Sequence, residues 1–117
     1  MRNGIPAKLT RYLLVSVMIP ASGLITPSAA NALTADDVMN KMSEDEKRGY
    51  LAGIVTGLAQ ARWIADRPDN TGSACINDWY FRGEGAAQAT VDAWFERQLD
   101  KPAGALMFVL IKKECGW

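Results

Sequence analysis

Between Ser43 and Arg67 the chain reads SEDEKRGYLAGIVTGLAQARWIADR, and no other stretch narrows the choice of fold so far. Leu51, Ile54, Val55, Leu58, Ala61 and Ala65 recur at the i, i+3, i+4, i+7 spacing of one helix face. Ser43 followed three positions later by Glu46 has the form of a capping box, in which each side chain satisfies a backbone N–H of the first turn. Glu44, Asp45 and Glu46 place negative charge at the positive end of the helix dipole. Pro68 closes the pattern, because the residue before a proline is pushed out of the helical region. A helix this long with one apolar stripe needs a covering layer, and the remaining residues must supply it. Gly53, Gly57 and Ala61 form a second, small-residue ridge on the same helix. Interior glycine costs about 1 kcal/mol relative to alanine, so the ridge is expected to admit either a neighbouring helix of the same chain or a second copy of the protein.

Residues 1–32 stand apart. Arg2, Lys8 and Arg11 without any acid, the apolar run Tyr12–Ile25, and a small-residue end through Ala30-Asn31-Ala32 are the marks of a secretory signal peptide. Cleavage is expected after Ala32, with Ala30 as the competing site. The apolar run is short and broken by Pro20 and Gly23, so no membrane span is expected once the leader is removed. Residues 33–117 then form a single domain with a periplasmic destination. The whole chain balances 13 Lys and Arg against 13 Asp and Glu. Loss of the three leader cations leaves a mildly acidic remainder that speaks against nucleic acid as a partner.

Both cysteines, Cys75 and Cys115, lie in this remainder. An even pair in a small exported domain reads as a disulfide, with two separate reactive thiols as the rival reading. A staple of that kind suits a domain whose core alone supplies little surplus stability.

In chain order, Leu33–Met42 reads as a two-turn helix opened by Thr34 and Asp37 in a form close to a capping box. Arg67–Gly85 reads as one long irregular stretch, rich in turn residues over Arg67–Ser73, with a single short helix at Ala74–Phe81. A further helix from about Ala86 to Leu99 carries Val91, Trp94, Phe95 and Leu99 on one side. Pro102 opens the last helix, Pro102–Glu114, where its missing N–H does no harm. Ala105 to Ile111 is apolar throughout, which reads as a buried central helix. The expected architecture is all-α, a small bundle of four to five helices stapled by one disulfide.

The chain contains no histidine, the commonest general base and metal ligand. Ser43 is spent on a cap and Ser73 sits among turn residues with no base nearby, so no nucleophilic triad is available. The acidic clusters Asp36/Asp37 and Glu44/Asp45/Glu46 both start helices, where capping explains them. Asp66, Asp69 and Asp78 match no calcium loop. No enzyme activity, metal or cofactor is expected. Binding remains. The stretch Arg67–Gly85 is long for so small a domain, and it concentrates interface-forming residue types in Trp79-Tyr80-Phe81-Arg82. Those rings would equally serve as a roof over the core. Arg67, Asp69, Asn70, Thr71, Tyr80 and Arg82 are the candidate partner-binding residues.

A leader, a helix of the form YLAGIVTGLAQA, the Gly-x-x-Cys turn Gly72–Cys75, an amphipathic VDAWFERQLDKPAGAL segment and a near-terminal cysteine occur in this order. That pattern, over about Met42–Cys115, resembles the Tai family, periplasmic immunity proteins directed against type VI secretion amidases. It departs from the family in carrying Ile76-Asn77 where proline is expected soon after the cysteine. The resemblance implies a small helical protein, often a homodimer, that blocks a peptidoglycan amidase by inserting a loop into its cleft. It also implies that Cys75 and Cys115 are bonded, and it makes Arg67–Ser73 the nearest counterpart of the inserted loop. A different class, a periplasmic acid-stress chaperone of the HdeA type, shares the size, the export and the two cysteines, and a purely structural envelope role is a third reading.

Overall fold

The computed structural model describes residues 32–117; the leader read over the first thirty-one residues lies outside them. Five helices follow one another: α1 (Asp37–Lys41, a π-type turn), α2 (Glu44–Asp66), α3 (Thr71–Phe81), α4 (Ala86–Glu96) and α5 (Ala103–Cys115). Among the described residues the fold is all-α, with no strand.

The helix starts obey the capping chemistry read from the sequence. Thr34 N–H donates to Asp37 Oδ2 at 2.9 Å and Asp37 N–H donates to Thr34 Oγ1 at 3.2 Å, a reciprocal box that opens the first helical turn. Ser43 Oγ accepts from the Glu46 N–H at 3.2 Å and donates to Glu46 Oε1 at 3.1 Å, so α2 begins at Glu44. Pro102 sits one residue before α5, not inside it, and its carbonyl accepts from Leu106 N–H at 3.1 Å. The entry segment is tied to the α4–α5 connection by Ala35 N–H to Lys101 O at 2.9 Å and Ala103 N–H to Leu33 O at 2.8 Å.

α2 and α3 pack most extensively, and α4 and α5 complete the layer over them. The core is formed by Val38, Leu51, Val55, Ile76, Val91, Phe95, Met107 and Ile111, and every one of these side chains is buried. On α2 the buried positions are Leu51, Val55 and Ala59, with Ile54 and Leu58 half-buried beside them. Ala61 and Ala65 are exposed, contrary to the stripe expected there, because the layer that α2 is packed against tracks Val55 and Ala59 instead. α4 ends at Glu96, three residues earlier than its periodicity suggests; Arg97 and Gln98 turn back onto Trp94 O and Phe95 O, and Leu99 is left 37% exposed.

Two expectations about packing are corrected. The ridge Gly53/Gly57/Ala61 faces outward: a methyl group built on Gly53 or Gly57 meets nothing within 4 Å, so no helix among the described residues is seated there. α5 is not fully enclosed either. Ala103, Leu106, Met107, Leu110 and Ile111 turn inward, whereas Phe108 and Val109 point out. A helix with 3.6 residues per turn cannot bury seven consecutive side chains against one layer, and among the described residues three other long helices cover it.

Candidate interaction site

The irregular stretch read over Arg67–Gly85 is mostly helix. α3 already begins at Thr71, and the connection from α2 shrinks to Arg67-Pro68-Asp69-Asn70. Arg67 N–H closes α2 on Trp63 O at 2.9 Å, the Arg67–Pro68 peptide is cis, and Asp69 N–H donates to Asp66 O at 2.9 Å. Asp69 Oδ1 then accepts from Thr71 N–H at 2.9 Å and from Thr71 Oγ1 at 2.7 Å. The Thr71 hydroxyl, then its N–H, hold the Asp69 carboxyl below the ordinary carboxylate range, and the Arg62 charge adds to the effect. Asp69 therefore builds the turn, a local competition of side chain for backbone that aspartate performs well. What the turn presents outward is Arg67, Pro68 and Asn70, all exposed.

Arg62 organises the same end of the molecule. Its Nε lies 2.5 Å from Asp66 Oδ2, its Nη1 donates to Gly116 O, and its guanidinium stands over the Trp117 ring at 5.5 Å from the centroid. It also lies directly on the backbone of Gly72: a Cβ there would fall 2.5 Å from Arg62 Cζ. The Gly-x-x-Cys spacing thus has a physical cause, since only glycine lets the guanidinium reach across the start of α3. One turn further along, Cys75 is bonded to Cys115, with Cα atoms 5.8 Å apart. The disulfide read from the sequence is present, and it brings the last residue of α5 against α3.

The C-terminal residues so anchored form an apolar surface. Trp117 packs on Phe108 with ring centroids 5.3 Å apart, and Phe108, Val109 and Trp117 remain 37%, 50% and 44% exposed. Phe108 and Trp117 form an exposed aromatic pair linked through Arg62 to the end of α2, whereas Val109, about 100° further round α5, is exposed separately.

The structure divides the six candidate residues. Arg67, Asp69, Asn70 and Thr71 gather at the turn, with Asp69 and Thr71 engaged by each other. Tyr80 and Arg82 lie at the opposite end of α3, about 14 Å away at 1.5 Å per residue. Tyr80 is a core residue, 4% exposed, and Arg82 is a surface side chain whose Nε lies 3.2 Å from Asp78 Oδ1. The aromatic run does not act as one unit, because on a helix consecutive residues point about 100° apart: Tyr80 goes in while Phe81 is 50% exposed. Arg62, Phe108, Val109 and Trp117 were not singled out from sequence. The signal for two of them was present, since seven apolar residues in a row exceed what one helix face can hide. The i,i+4 spacing of Arg62 and Asp66 was the one local sign of Arg62, and its contacts at Gly72 and Gly116 lie outside its own helix.

No helix among the described residues is long and apolar enough to cross a membrane. Comparison with protein-family models, with curated proteins and with solved structures finds no match.

Proposed function

We propose that the chain is an exported, non-enzymatic binding protein that engages a protein partner through its disulfide-bonded end. On the resemblance to the Tai pattern, that partner is a peptidoglycan amidase delivered by type VI secretion, met in the periplasm. The observation that carries the reading is the exposed Phe108–Trp117 pair, linked through Arg62 to Asp66 at the end of α2 from which the short turn Arg67–Asn70 leaves. A turn fixed by its own Asp69–Thr71 hydrogen bonds loses little entropy when it enters a cleft, which is how pre-organisation raises affinity. The large aromatic side chains linked to it through Arg62 supply the buried contact that dominates interface energetics.

The test is co-expression in a periplasm with a panel of type VI amidases, scoring growth and direct binding. Rescue by the native protein and loss of rescue by Phe108→Asp or by Asn70→Lys is expected, the Asn70 variant at unchanged melting temperature. No binding to any member of the panel sinks the amidase assignment.

The outward Gly53/Gly57 face of α2 belongs to the same proposal as a surface for a second copy, because three interior glycines at Gly49, Gly53 and Gly57 serve no packing need among the described residues. Sedimentation of native protein and of Gly57→Leu decides it: a dimer that the leucine variant loses is the expected result, and a monomer in both discards it. The acid-chaperone alternative calls for unfolding at about pH 2–3. Among the described residues no charged side chain is buried, so protonation there uncovers no buried ion pair, and this favours the immunity reading.

A further inference from the structure

α5 is seated in the core only as far as Ile111. Ala103, Leu106, Met107, Leu110 and Ile111 are buried, and no residue after Ile111 is. Lys112, Lys113, Glu114, Gly116 and Trp117 are exposed, and Cys115 is half-buried at the edge of the core. Among the described residues two attachments hold this chain end to the other helices. One is the bond from Cys115 to Cys75 on α3. The other is Arg62 of α2, which donates to Gly116 O and stands over the Trp117 ring. The remaining contacts are internal to α5 and its cap: Gly116 N–H donates to Lys112 O at 2.8 Å, and Trp117 leans on Phe108.

The two attachments are unequal. Helix ends that nothing buries fray readily, and each backbone residue held in place gives up freedom worth about as much as one hydrogen bond returns. Arg62 offers one hydrogen bond and one ring contact against the ordering of all of Lys112–Trp117. The disulfide joins positions 40 apart in sequence, and so supplies a restraint that no local contact can. Neither cysteine belongs to the fully buried set, so the core does not need the bond for its packing. Both are half-buried rather than sealed, which leaves them within reach of a thiol reagent.

We propose that the Cys75–Cys115 bond is a redox gate on the exposed aromatic pair. Oxidised, it seats Trp117 on Phe108 and under Arg62; reduced, Lys112–Trp117 detaches while the core stays folded. Closing the gate removes one proton and one electron from each thiol. An exchanging disulfide accepts them through a mixed disulfide and leaves as a dithiol, and a dithiol reductant reverses the step. The purpose of the gate rests on the binding reading of this end: the surface is assembled in an oxidising compartment and stays unassembled before export.

The experiment compares the native purified chain, oxidised and after dithiothreitol, by NMR with no partner present. In the oxidised chain, proton contacts between the Phe108 and Trp117 rings are expected, with order parameters of about 0.85 for Glu114, Cys115 and Gly116. In the reduced chain the ring contacts vanish and these order parameters fall below about 0.6. The helical circular dichroism and the resonances of Val55, Phe95 and Met107 are retained, and oxidised glutathione restores the first state. Cys115→Ser reproduces the released end without reductant, but the decision is read on the native chain. Ring contacts that survive reduction overturn the gate. Loss of the core resonances together with the ring contacts overturns it too, because the bond is then a staple of the whole fold. Failure of the oxidised chain to bind any amidase bears on the proposed function alone, since none of these readouts involves a partner.

Discussion

Replacing Gly72 by alanine is the sharpest probe of how the disulfide end is held. The added Cβ falls 2.5 Å from both Arg62 Cζ and Nε and 2.8 Å from Nη2, so the guanidinium must move. For a free arginine such a shift is cheap. Here the same group is engaged by Asp66 at 2.5 Å, by Gly116 O and by the Trp117 face, and its side chain is only 18% exposed. Displacing it loses hydrogen bonds to a charged group, about 1.5–3 kcal/mol, and part of a cation–π contact of about 0.5–1 kcal/mol. Against this, alanine is better than glycine in a helix by up to about 1 kcal/mol. The net expectation is a destabilisation of about 1–2 kcal/mol, read as a fall of roughly 5–15 °C in Tm for a domain of this size. The double-mutant cycle makes it decisive. With Arg62→Ala the space is vacated, and Gly72→Ala should then stabilise, so the two substitutions couple by about 2 kcal/mol. If Gly72→Ala raises Tm in both backgrounds, Arg62 is a loose surface side chain and the clamp does not exist.

Three further outcomes follow from other parts of the fold. Phe95, fully buried, should cost about 3–5 kcal/mol as alanine, measured by urea denaturation with the disulfide intact. The hydrogen bond from Lys41, then those from Thr34, bring the Asp37 carboxyl down from 3.8 to about 2. Its folded value is below its unfolded one, so its stabilisation is present above about pH 4 and is lost as pH falls through about 2; Asp37→Asn should flatten Tm against pH across that window, and an unchanged slope refutes the assignment. Glu84 holds φ at +54° just before Gly85 at the start of α4. Glycine adopts that left-handed backbone without the steric penalty of a side chain, so Glu84→Gly should raise stability by up to about 1 kcal/mol, seen in the same denaturation assay.

Much of the local structure was legible because it rests on neighbours in sequence. The Thr34/Asp37 and Ser43/Glu46 boxes, the length of α2 and the alternation of Val91 and Phe95 are all set within one or two turns. With only two cysteines in the chain, Cys75 and Cys115 were the one intramolecular disulfide available, and their bonding is what the structure adds against the free-thiol reading. The candidate site was half legible. Turn-forming residues placed Arg67–Asn70 correctly, but the same composition hid the early start of α3, because Asp69 supplies the hydrogen bonds that launch a helix from Thr71-Gly72-Ser73.

The sequence by itself determined that the described chain is helical and where most of its helices begin, and it favoured a bond between its two cysteines that the structure shows. Periodicity and capping are local, so they survive without knowledge of the fold. Which face of each helix is covered was decided only in three dimensions. The Gly53/Gly57 ridge turned outward, Phe108 and Val109 were left in solvent, Tyr80 went into the core and Arg62 closed over Gly72. Each of those outcomes depends on which layer happens to lie opposite, a matter of packing between separate helices, and no local pattern encodes it.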